Sequence, residues 1–481
     1  MSARAAAPPA LGSMPADVIR ARARELVARP PRRPSAARVE REVEAFRRRT
    51  RRSAELHQRA CGLLARGTEH VDPLADPYPL FMERGNGSRV VDVDGNSYVD
   101  YILAGGAILL GHNDAELNER IVALIRDKTN FHGHLDEYEL EAAAALCDVF
   151  PSIEAVRFTA SGAEANLAAA RIARAFSGRR KIVKFRGAYH GWGDQFMTDI
   201  EVPGSGPFMA GGIPEAFLSE TVLVDQDDLE GLKRTLVEHE RDGGVAAVIC
   251  EPVGAESGLV PFAAGFHRDA IELAHRFGAL YVFDEIVTGF RLGLGGAQAR
   301  LGVQPDLTTL GKGLMNGYPA CGVVGGRKEI VDAATTGPPR DGASAYIGGT
   351  LSGNVLSVAA CLHTVSQARR PGVLDRASGA AADLVAKLNG LFESRGADFF
   401  AYHYGSIVKV ELTAPHALRP DSAERATEIL ERRALLGTYM LPVQNAGVLS
   451  RMGRDMVSCA HTPADNDEAV TAYDALLDFL G

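Results

Sequence analysis

Residues 279–317 read ALYVFDEIVTGFRLGLGGAQARLGVQPDLTTLGKGLMNG, and this stretch decides the fold. An apolar run, 279–283, ends in Asp284-Glu285, and a second run, 307–310, ends in Gly311-Lys312-Gly313. Short apolar runs bounded by glycine and charged residues are typical of buried parallel strands. Because ligands of open α/β sheets bind beyond the carboxyl ends of the strands, we expect an acid and a glycine-flanked lysine at that edge.

The pairing of Asp284 with Lys312 indicates a specific chemistry. A lysine amine forms a Schiff base with an aldehyde, and pyridoxal phosphate (PLP) requires such a lysine together with an aspartate beside its ring nitrogen. An ionised carboxylate at that position keeps the pyridine nitrogen protonated, so that the ring accepts electrons. A single lysine after a strand is more often a solvated loop residue, so this prediction depends on the rest of the chain.

Length and composition favour an ordinary globular protein with two or more domains. The chain has 481 residues, of which 46% are apolar and 23% charged, and its net charge is −9. That charge argues against a dedicated nucleic-acid-binding protein, and no apolar run approaches the roughly 18 residues of a membrane span. The six cysteines are scattered without a C-x-x-C pair, which favours free thiols in a reducing cytoplasm over disulfides or a structural zinc site.

The N-terminal region differs from the rest of the chain in charge. Residues 1–60 contain fifteen arginines and six acidic residues, so the remaining residues carry a net charge of −18. We expect disorder in 1–14 and two helices, at 16–28 and 36–64, separated by a proline-rich breaker. The arginines of 47–52 form either an anion-binding patch or, more simply, a solvated helix face or an arm that packs on a partner subunit.

Apolar runs alternate with helical patterns through the middle of the chain and predict an α/β fold. A hairpin at 89–101, whose Asp94-Gly95 suits a type I′ turn, and amphipathic helices at 115–127 and 137–150 precede this region. Repeated helical connections between strands produce a mostly parallel sheet of about seven strands. The runs that form it are 155–158, 181–185, 221–224, 245–250, 279–283, 307–310 and 321–324.

After Pro371 the pattern predicts a smaller α+β unit. Two helices are followed by a strand pair near 399–412 and then by two more helices with strands between them. We therefore expect a basic helical N-terminal arm, a segment that carries the hairpin, a large domain that carries the sheet and this C-terminal α+β unit. The boundaries of these segments are 1–66, 67–115, 116–370 and 371–481.

A phosphate site is predicted where a helix begins after the strand that ends at Phe158. Residues 159–164 read TASGAE, and Ser161 with Glu164 forms an S-x-x-E capping box. A strand, a turn of small residues and the unpaired amides of a helix N-terminus together suit an anion. A plain capped helix is the alternative. No G-x-G-x-x-G opens a helix after a strand and no G-x-x-x-x-G-K-[ST] occurs, so nucleotide-binding fingerprints are missing.

Two more strand ends carry candidate site residues. Tyr189 and His190 belong to YHGW, which follows the strand 181–185. The tyrosine at this position either stacks on a planar ring or belongs to the core. Glu251 follows the strand 245–250, where an acid is poorly placed unless it faces a polar cleft.

Taken together, these motifs resemble the class III aminotransferases of the fold-type I PLP enzymes, and most of all their glutamate-1-semialdehyde aminomutase branch. The resemblance extends from about residue 67 to the C-terminus and implies a large domain built on the sheet and a small domain built from both chain ends. The motifs that carry it occur in the order DVDGNSYVDY, LGHN, RFTASGAEAN, YHGW, EPVG, FDEIVTGFR, PDLTTLGKG, GGTLSGN and SCAHT.

The resemblance implies a role for each candidate residue. Lys312 would hold PLP as a Schiff base, and Asp284 would pair with the ring nitrogen. Tyr189 would stack on one face of the ring, and Val287 would lie against the other. The further cofactor contacts would be the backbone amides of Ser161, Gly162 and Ala163 at the phosphate, His190, Glu251, and Thr350 at the phosphate of the neighbouring subunit, which implies a homodimer with shared sites.

The sequence departs from the family pattern in two places. Ala163 stands where the family usually has threonine, so one hydroxyl contact is missing while the backbone amides remain. The aminomutase and its amino-acid-using relatives bind the substrate carboxylate with an arginine before the first hairpin, but 67–81 (GTEHVDPLADPYPLF) contains none. The remaining candidates for a substrate carboxylate are His70, Arg291, Arg451 and Arg454.

Three functions are compatible with these residues. The first is an aminotransferase that moves an amino group between an amino compound and a keto acid or aldehyde, and the second is an intramolecular 2,1-aminomutase. A catalytically silent homologue that acts as a binding subunit is the third, which the intact Lys312 and Asp284 disfavour. A metal site at His132, His134 and Asp136 is not expected, because adjacent loop histidines usually face solvent.

Overall fold

The chain folds into two compact units, the first formed by 116–374 and the second by 17–115 with 375–481. The fold is known from a computed structural model. It describes residues 12–69, 77–128, 134–200, 211–254, 260–318, 322–335 and 344–481. The disorder expected for residues 1–14 falls mostly outside these ranges, as do His70 and His132.

Strands are numbered in chain order. They are β1 (Met82–Asn86), β2 (Arg89–Asp92), β3 (Ser97–Asp100), β4 (Ala155–Thr159), β5 (Lys181–Phe185), β6 (Thr221–Val224), β7 (Val245–Cys250), β8 (Leu280–Asp284), β9 (Leu307–Leu310), β10 (Gly322–Gly326), β11 (Ala334–Thr335), β12 (Ala345–Tyr346), β13 (Phe400–Tyr404), β14 (Ile407–Glu411), β15 (Val448–Leu449) and β16 (Arg454–Met456).

Helices of the described residues are numbered in the same way. They are α1 (Ala16–Val27), α2 (Ala36–Arg49), α3 (Arg51–Ala60), α4 (Leu103–Gly106), α5 (Ala115–Asp127), α6 (Glu137–Val149), α7 (Gly162–Ser177), α8 (Glu215–Leu218), α9 (Leu229–His239), α10 (Phe266–Arg276), α11 (Gly296–Leu301), α12 (Lys328–Val331), α13 (Val355–Ala368), α14 (Val373–Ser394), α15 (Ala423–Asn445) and α16 (Pro463–Leu480).

The first unit is built around a sheet with the strand order β4-β10-β9-β8-β7-β5-β6. The neighbours from β9 to β6 are parallel, whereas β10 runs antiparallel to both β4 and β9. Every residue of β5, β7 and β8 is buried, as expected for strands covered on both faces. The predicted α/β fold with a mostly parallel seven-stranded sheet is therefore confirmed. Its last strand is described from Gly322, because residue 321 lies outside the described residues.

Helices cover the two faces of this sheet. Alanines of α7 (Ala168, Ala169 and Ala173) pack in one cluster with Ile182 and Val282 of the sheet. Small side chains on α7 let the helix lie close to the strands, which places its N-terminus near their carboxyl ends. On the opposite face, α9 and α10 pack in a second cluster with β5, β7 and β8. The sheet edge that carries Asp284 is thus fixed from both sides.

The second unit contains two small sheets, ordered β1-β2-β3-β15 and β13-β14-β16. In the first sheet β15 pairs in parallel with β3, so the chain ends of this unit share one sheet. In the second sheet all neighbours are antiparallel. The strand pair predicted near 399–412 and the later helices with strands between them agree with β13 to α16.

The described part of the basic arm packs on α15 of its own unit. Arg432, which is 1% exposed, donates hydrogen bonds to the backbone carbonyl groups of Val27 at 3.1 Å and Arg29 at 2.8 Å. Asn445 donates to the backbone carbonyl of Glu42 at 3.0 Å and to its carboxylate at 2.7 Å. The α1–α2 segment is therefore held within this chain, which the sequence left open.

Three local predictions were wrong. The helix expected at 36–64 is broken at Thr50, whose φ of −128° and ψ of 42° separate α2 from α3. One continuous helix, α14, replaces the two expected after Pro371. At the hairpin turn Gly95 has φ +86°, but Asp94 is not among the described residues with positive φ. A type I′ turn requires positive φ at both central residues, so the turn is of another type.

Two general features concern membranes and thiols. Among the helices of the described residues, none is long and apolar enough to cross a membrane. Cys61, Cys147, Cys250, Cys361 and Cys459 are free thiols.

Candidate active site

Asp284 is the last residue of β8 and is held by donors from several parts of the first unit. Its Oδ2 atom accepts hydrogen bonds from His190 Nδ1 and Asn166 Nδ2, both at 2.7 Å. Its Oδ1 atom accepts the backbone N–H of Ile286 at 3.1 Å. The side chain is 5% exposed, and these donors offset the cost of burying a carboxylate. With two donors on Oδ2 and one on Oδ1, Oδ1 is the oxygen better placed to accept a further positive group.

Asn166 connects Asp284 to the neighbouring strand and loop. Its Nδ2 atom donates to Asp284 and, at 3.1 Å, to the backbone carbonyl of His190. Its Oδ1 atom accepts the hydroxyl of Thr309 in β9 at 2.7 Å. This set of donors and acceptors assigns the orientation of the amide group. One buried side chain thus links α7, β8, β9 and the loop after β5.

Asn166 is not among the site residues predicted from the sequence, although a signal was available. In α7 it shares a helix face with Ala169, Ala170 and Ala173, all of which are buried. A polar side chain on an otherwise apolar, buried helix face needs a hydrogen-bond partner inside the protein. The periodicity therefore marked Asn166 as a buried polar residue, but only the tertiary structure identifies Asp284 as its partner.

His190 faces Asp284 as a neutral imidazole. The side chain is completely buried, and this burial lowers the pKa of His190 below its ordinary value even though the hydrogen bond and charge of Asp284 act to raise it. Since a neutral imidazole carries one proton, the hydrogen bond from Nδ1 to Asp284 assigns that proton to Nδ1. The ring also packs edge-on against Phe196, with centroids 5.8 Å apart.

Lys312 follows β9 after a single glycine. β8 and β9 pair in parallel with Asp284 opposite Thr309, so Lys312 lies three residues beyond the residue that pairs with Asp284. Its φ is +45°, a conformation that is unfavourable for a residue with a Cβ atom and that occurs at functional sites. The side chain is half-buried. The structure therefore places Asp284 and Lys312 at the ends of neighbouring strands.

The N-terminus of α7 carries amides that have no acceptor in the described part of the chain. Ser161 caps the helix, and its hydroxyl accepts the N–H of Glu164 at 3.2 Å. The Glu164 carboxylate accepts the N–H of Ala160 at 2.9 Å rather than that of Ser161, so the capping box is shifted by one residue. Among the described residues, no acceptor is found for the N–H groups of Gly162 and Ala163. Two such amides at a helix N-terminus fit a phosphate group.

Close packing explains two glycines around this turn. A Cβ atom at Gly162 would lie 2.8 Å from the side chain of Ile286, two residues after Asp284. A Cβ atom at Gly191, where φ is +92°, would lie 2.6 Å from the Cβ atom of Ala163. The turn after β4, the loop after β5 and the end of β8 thus approach each other closely. The unpaired amides and Asp284 belong to one compact region, which fits the phosphate and the ring of PLP.

The other residues implied by the family resemblance lie in different surroundings. Tyr189 is 41% exposed, and its backbone N–H donates to the carboxylate of Glu251 at 3.0 Å. Glu251 is 6% exposed, so it fixes the backbone of the YHGW turn. Val287 is half-buried and Thr350 is exposed. Direct contacts of these four residues with a cofactor stay predictions.

The described candidates for a substrate carboxylate belong to different units. Arg291 is 2% exposed in the first unit, which leaves little of its surface open to a ligand. Arg451 is exposed and Arg454 is half-buried in the second unit. His70 lies outside the described residues. The carboxylate site therefore stays a prediction for each of them.

Of the residues considered for a metal, Asp136 is engaged in other contacts. Asp136 caps α6 by accepting the N–H of Tyr138 at 3.0 Å, and it accepts the ammonium of Lys128 at 2.6 Å. His134 is exposed. In the part of the chain that the structure describes, no cluster of three metal-ligating residues occurs.

Glu285 follows Asp284 but plays a different part. Its carboxylate accepts the backbone N–H of Ala297 at 2.6 Å and of Gln298 at 3.2 Å, together with the hydroxyl of Thr288 at 3.0 Å. Complete burial raises the pKa of Glu285 to about 7, although these donors act to lower it. The side chain therefore ties the segment after β8 to the start of α11.

A lysine and an aspartate at neighbouring strand ends, beside a helix N-terminus, define the kind of site that PLP enzymes use. The family model described as "Aminotransferase class-III" matches residues 71–459. The protein therefore belongs to the class III aminotransferase family.

Individual relatives agree with this assignment. Glutamate-1-semialdehyde 2,1-aminomutase 2 of Brevibacillus brevis is 37% identical over 407 residues, which cover 83% of this chain and 91% of the relative. An omega-transaminase from Sphaerobacter thermophilus has a similar structure, with a TM-score of 0.79 and 29% identity. The match covers 89% of this chain and 97% of the transaminase chain. A glutamate-1-semialdehyde-aminomutase from Pseudomonas aeruginosa PAO1 also has a TM-score of 0.79, with 26% identity. This match covers 93% of this chain and 100% of the aminomutase chain.

Proposed function

We propose that this protein is a PLP-dependent aminotransferase that moves an amino group between an amino compound and a keto acid or an aldehyde. The observation that carries the proposal is the placement of Asp284 and Lys312 at the ends of paired strands, with Asp284 Oδ1 left to accept a positive group. Bound PLP supplies an aldehyde for the substrate amine and a protonated ring that accepts electrons.

Asp284 and the turn after β4 hold the two ends of the cofactor. Asp284 Oδ1 would bind the ring nitrogen, and His190 with Asn166 keeps the carboxylate in place through Oδ2. The amides of Ser161, Gly162 and Ala163 would bind the phosphate, where Ala163 contributes no hydroxyl. These contacts require the close approach that Gly162 and Gly191 allow.

Lys312 both anchors the cofactor and moves the proton. Its Nζ atom would hold bound PLP covalently and would be freed when a substrate amine binds in its place. The free amine of Lys312 would then take the proton from the substrate carbon as general base and would deliver it to the aldehyde-derived carbon of PLP as general acid. The half-buried position of Lys312 limits the access of water to this amine.

Borohydride reduction tests the proposal directly. The protein is incubated with PLP, reduced and digested. We expect the reduced PLP group to be attached to the peptide that contains Lys312. An unlabelled Lys312 would contradict the enzyme function and would favour the silent binding subunit.

A glutamate-1-semialdehyde-type aminomutase is the second candidate, and the sequence relatives favour it. The Brevibacillus brevis relative bears that name. The lack of arginine in 67–81 weighs against it. Incubation with one amino compound and no added acceptor separates the two: sustained formation of an isomer supports the mutase, whereas dependence on a keto acid or aldehyde supports the aminotransferase.

We also propose a cytoplasmic homodimer with shared active sites. Apolar side chains exposed on the first unit support a protein contact: Leu135 is 73% exposed, Leu140 60% and Leu351 51%. Thr350, next to Leu351, is the residue expected to reach the partner's phosphate. The free thiols fit a reducing cytoplasm. Light scattering on the purified protein tests the dimer, and a monomeric mass would contradict it.

A further inference from the structure

Lys184 is a completely buried lysine that the proposed reaction does not use. It lies in β5, four residues before Ala188, and is 0% exposed. Its ammonium donates hydrogen bonds to three backbone carbonyls: Ala188 at 2.7 Å, Phe196 at 3.1 Å and Thr198 at 2.7 Å. An ammonium has three N–H donors, so these contacts use all of them.

The three carbonyls belong to the two arms of one loop, which we name the 188–198 loop. Ala188 lies on the outgoing arm, and Phe196 and Thr198 lie on the returning arm. The residues between the arms include Tyr189, His190 and Trp192 of the YHGW turn. Lys184 therefore joins the base of the loop that delivers His190 to Asp284.

Lys184 also has an electrostatic effect on His190. The positive charge of the ammonium acts to lower the pKa of His190, in the same direction as burial. Phe196, whose carbonyl binds Lys184, packs its ring against His190. Lys184 thus acts on His190 through its charge and through the packing of Phe196. Both effects hold the neutral imidazole that donates to Asp284.

A buried ammonium is costly unless its environment compensates for lost hydration. An apolar residue of similar length would fill the same space without that cost, but it would leave three buried carbonyls without these donors. The three carbonyls all belong to the 188–198 loop and none to the strands beside β5. The buried ammonium therefore stabilises the 188–198 loop.

We propose that Lys184 is a positioning residue that holds the 188–198 loop, and through it His190, against Asp284. This inference rests on the proposed function because it assigns the loop to the PLP site. If Lys184 has this role, loss of the ammonium increases the motion of the 188–198 loop while the sheet keeps its structure.

Two variants and a matched control test the inference. Lys184→Met removes the charge and all three donors. Lys184→Gln keeps two N–H donors and replaces Lys184→Met in the test if the methionine variant fails to fold. Lys181→Met is the control, because Lys181 lies in the same strand, is 7% exposed and donates to the carbonyl of Ser219 at 3.0 Å, outside the 188–198 loop.

Trp192 provides a readout that needs no cofactor. It is the only tryptophan of the chain, lies in the loop and is 76% exposed. Time-resolved fluorescence anisotropy of the cofactor-free protein reports its local motion. We expect a larger fast component in the Lys184 variants than in the wild type and in Lys181→Met.

The second readout is the dissociation constant of PLP, measured by equilibrium titration. We expect it to rise about ten-fold in the Lys184 variants, as supporting contacts typically do for a bound group, and to stay unchanged in Lys181→Met. Anisotropy and PLP affinity equal to those of the wild type would overturn the inference, as would equal losses in the Lys181 control. Failure of the wild type to bind PLP would instead contradict the proposed function.

Discussion

Replacing Asn166 with aspartate tests how the Asp284 carboxylate is held. The Nδ2 atom of Asn166 lies 2.7 Å from Asp284 Oδ2, so Asn166→Asp places a second carboxyl oxygen there without changing the volume of the side chain. Two full charges at that separation repel each other by about 6 kcal/mol at an effective dielectric constant of about 20.

The variant pair is expected to keep one proton at neutral pH. An aspartic acid with a pKa of about 3.9 is protonated at pH 7 at a cost of about 4 kcal/mol, since each pH unit costs about 1.4 kcal/mol. This cost is smaller than the repulsion of about 6 kcal/mol, so the pair with one proton has a lower free energy than the pair with two charges. Folding of Asn166→Asp should therefore cost about 4 kcal/mol more than folding of the wild type at pH 7.

The loss of stability in Asn166→Asp is expected to increase with pH. Repulsion raises the folded-state pKa of the introduced carboxyl above the unfolded value of about 4, so the penalty is absent below that pH and grows as the pH rises towards the folded-state pKa. The assay is thermal unfolding of the cofactor-free protein from pH 5 to pH 8, followed by circular dichroism. The difference in melting temperature between the wild type and Asn166→Asp should widen with pH.

The control for this experiment is Asn166→Ala. It removes the same hydrogen bonds to Asp284 and to the carbonyl of His190 but adds no charge, so its loss of melting temperature should not depend on pH. A constant or narrowing difference for Asn166→Asp would refute the reasoning, because it would mean that the new carboxyl does not interact with Asp284.

Three further predictions concern the site directly. Lys312→Ala should reduce turnover to below about a thousandth of the wild-type rate while the circular dichroism spectrum stays unchanged; residual turnover near the wild-type rate would refute the role of Lys312. Asp284→Asn should lower kcat by about a hundred-fold or more even when PLP still binds, and near-normal steady-state rates would contradict an electron-accepting ring paired with Asp284. Gly191→Ala should weaken PLP binding about ten-fold, because the new Cβ lies 2.6 Å from Ala163 at a φ of +92°. Gly193→Ala, whose Cβ would meet nothing within 4 Å, is the matched control, and equal PLP dissociation constants in both variants would contradict the close packing.

The fold of the first unit could be predicted because each strand is a short apolar run with a clear end. The run 307–310 is β9, and the glycine and lysine that follow it lie at the strand end as expected. Such runs depend on neighbouring residues of the chain alone, so periodicity and breakers identify them.

Local signals failed where packing overrides them. Glycines at 379 and 390 weaken the helical pattern after Pro371, yet α14 runs through both. Its buried side chains, among them Leu384 and Leu388, supply more stability than the glycines remove. At Asp94-Gly95 the dipeptide suits a type I′ turn, but the structure gives only Gly95 a positive φ.

By itself, the sequence determined which residues stand at the strand ends and at the start of α7, since these positions follow from local patterns. Only the tertiary structure decided which partners those residues have. Asn166 reaches Asp284 across 118 residues of chain and Thr309 across 143, and the Lys184 ammonium finds its carbonyls only after the loop has closed. Strand order brings such groups together, and hydrogen bonds form between groups that are close in space, whatever their separation along the chain.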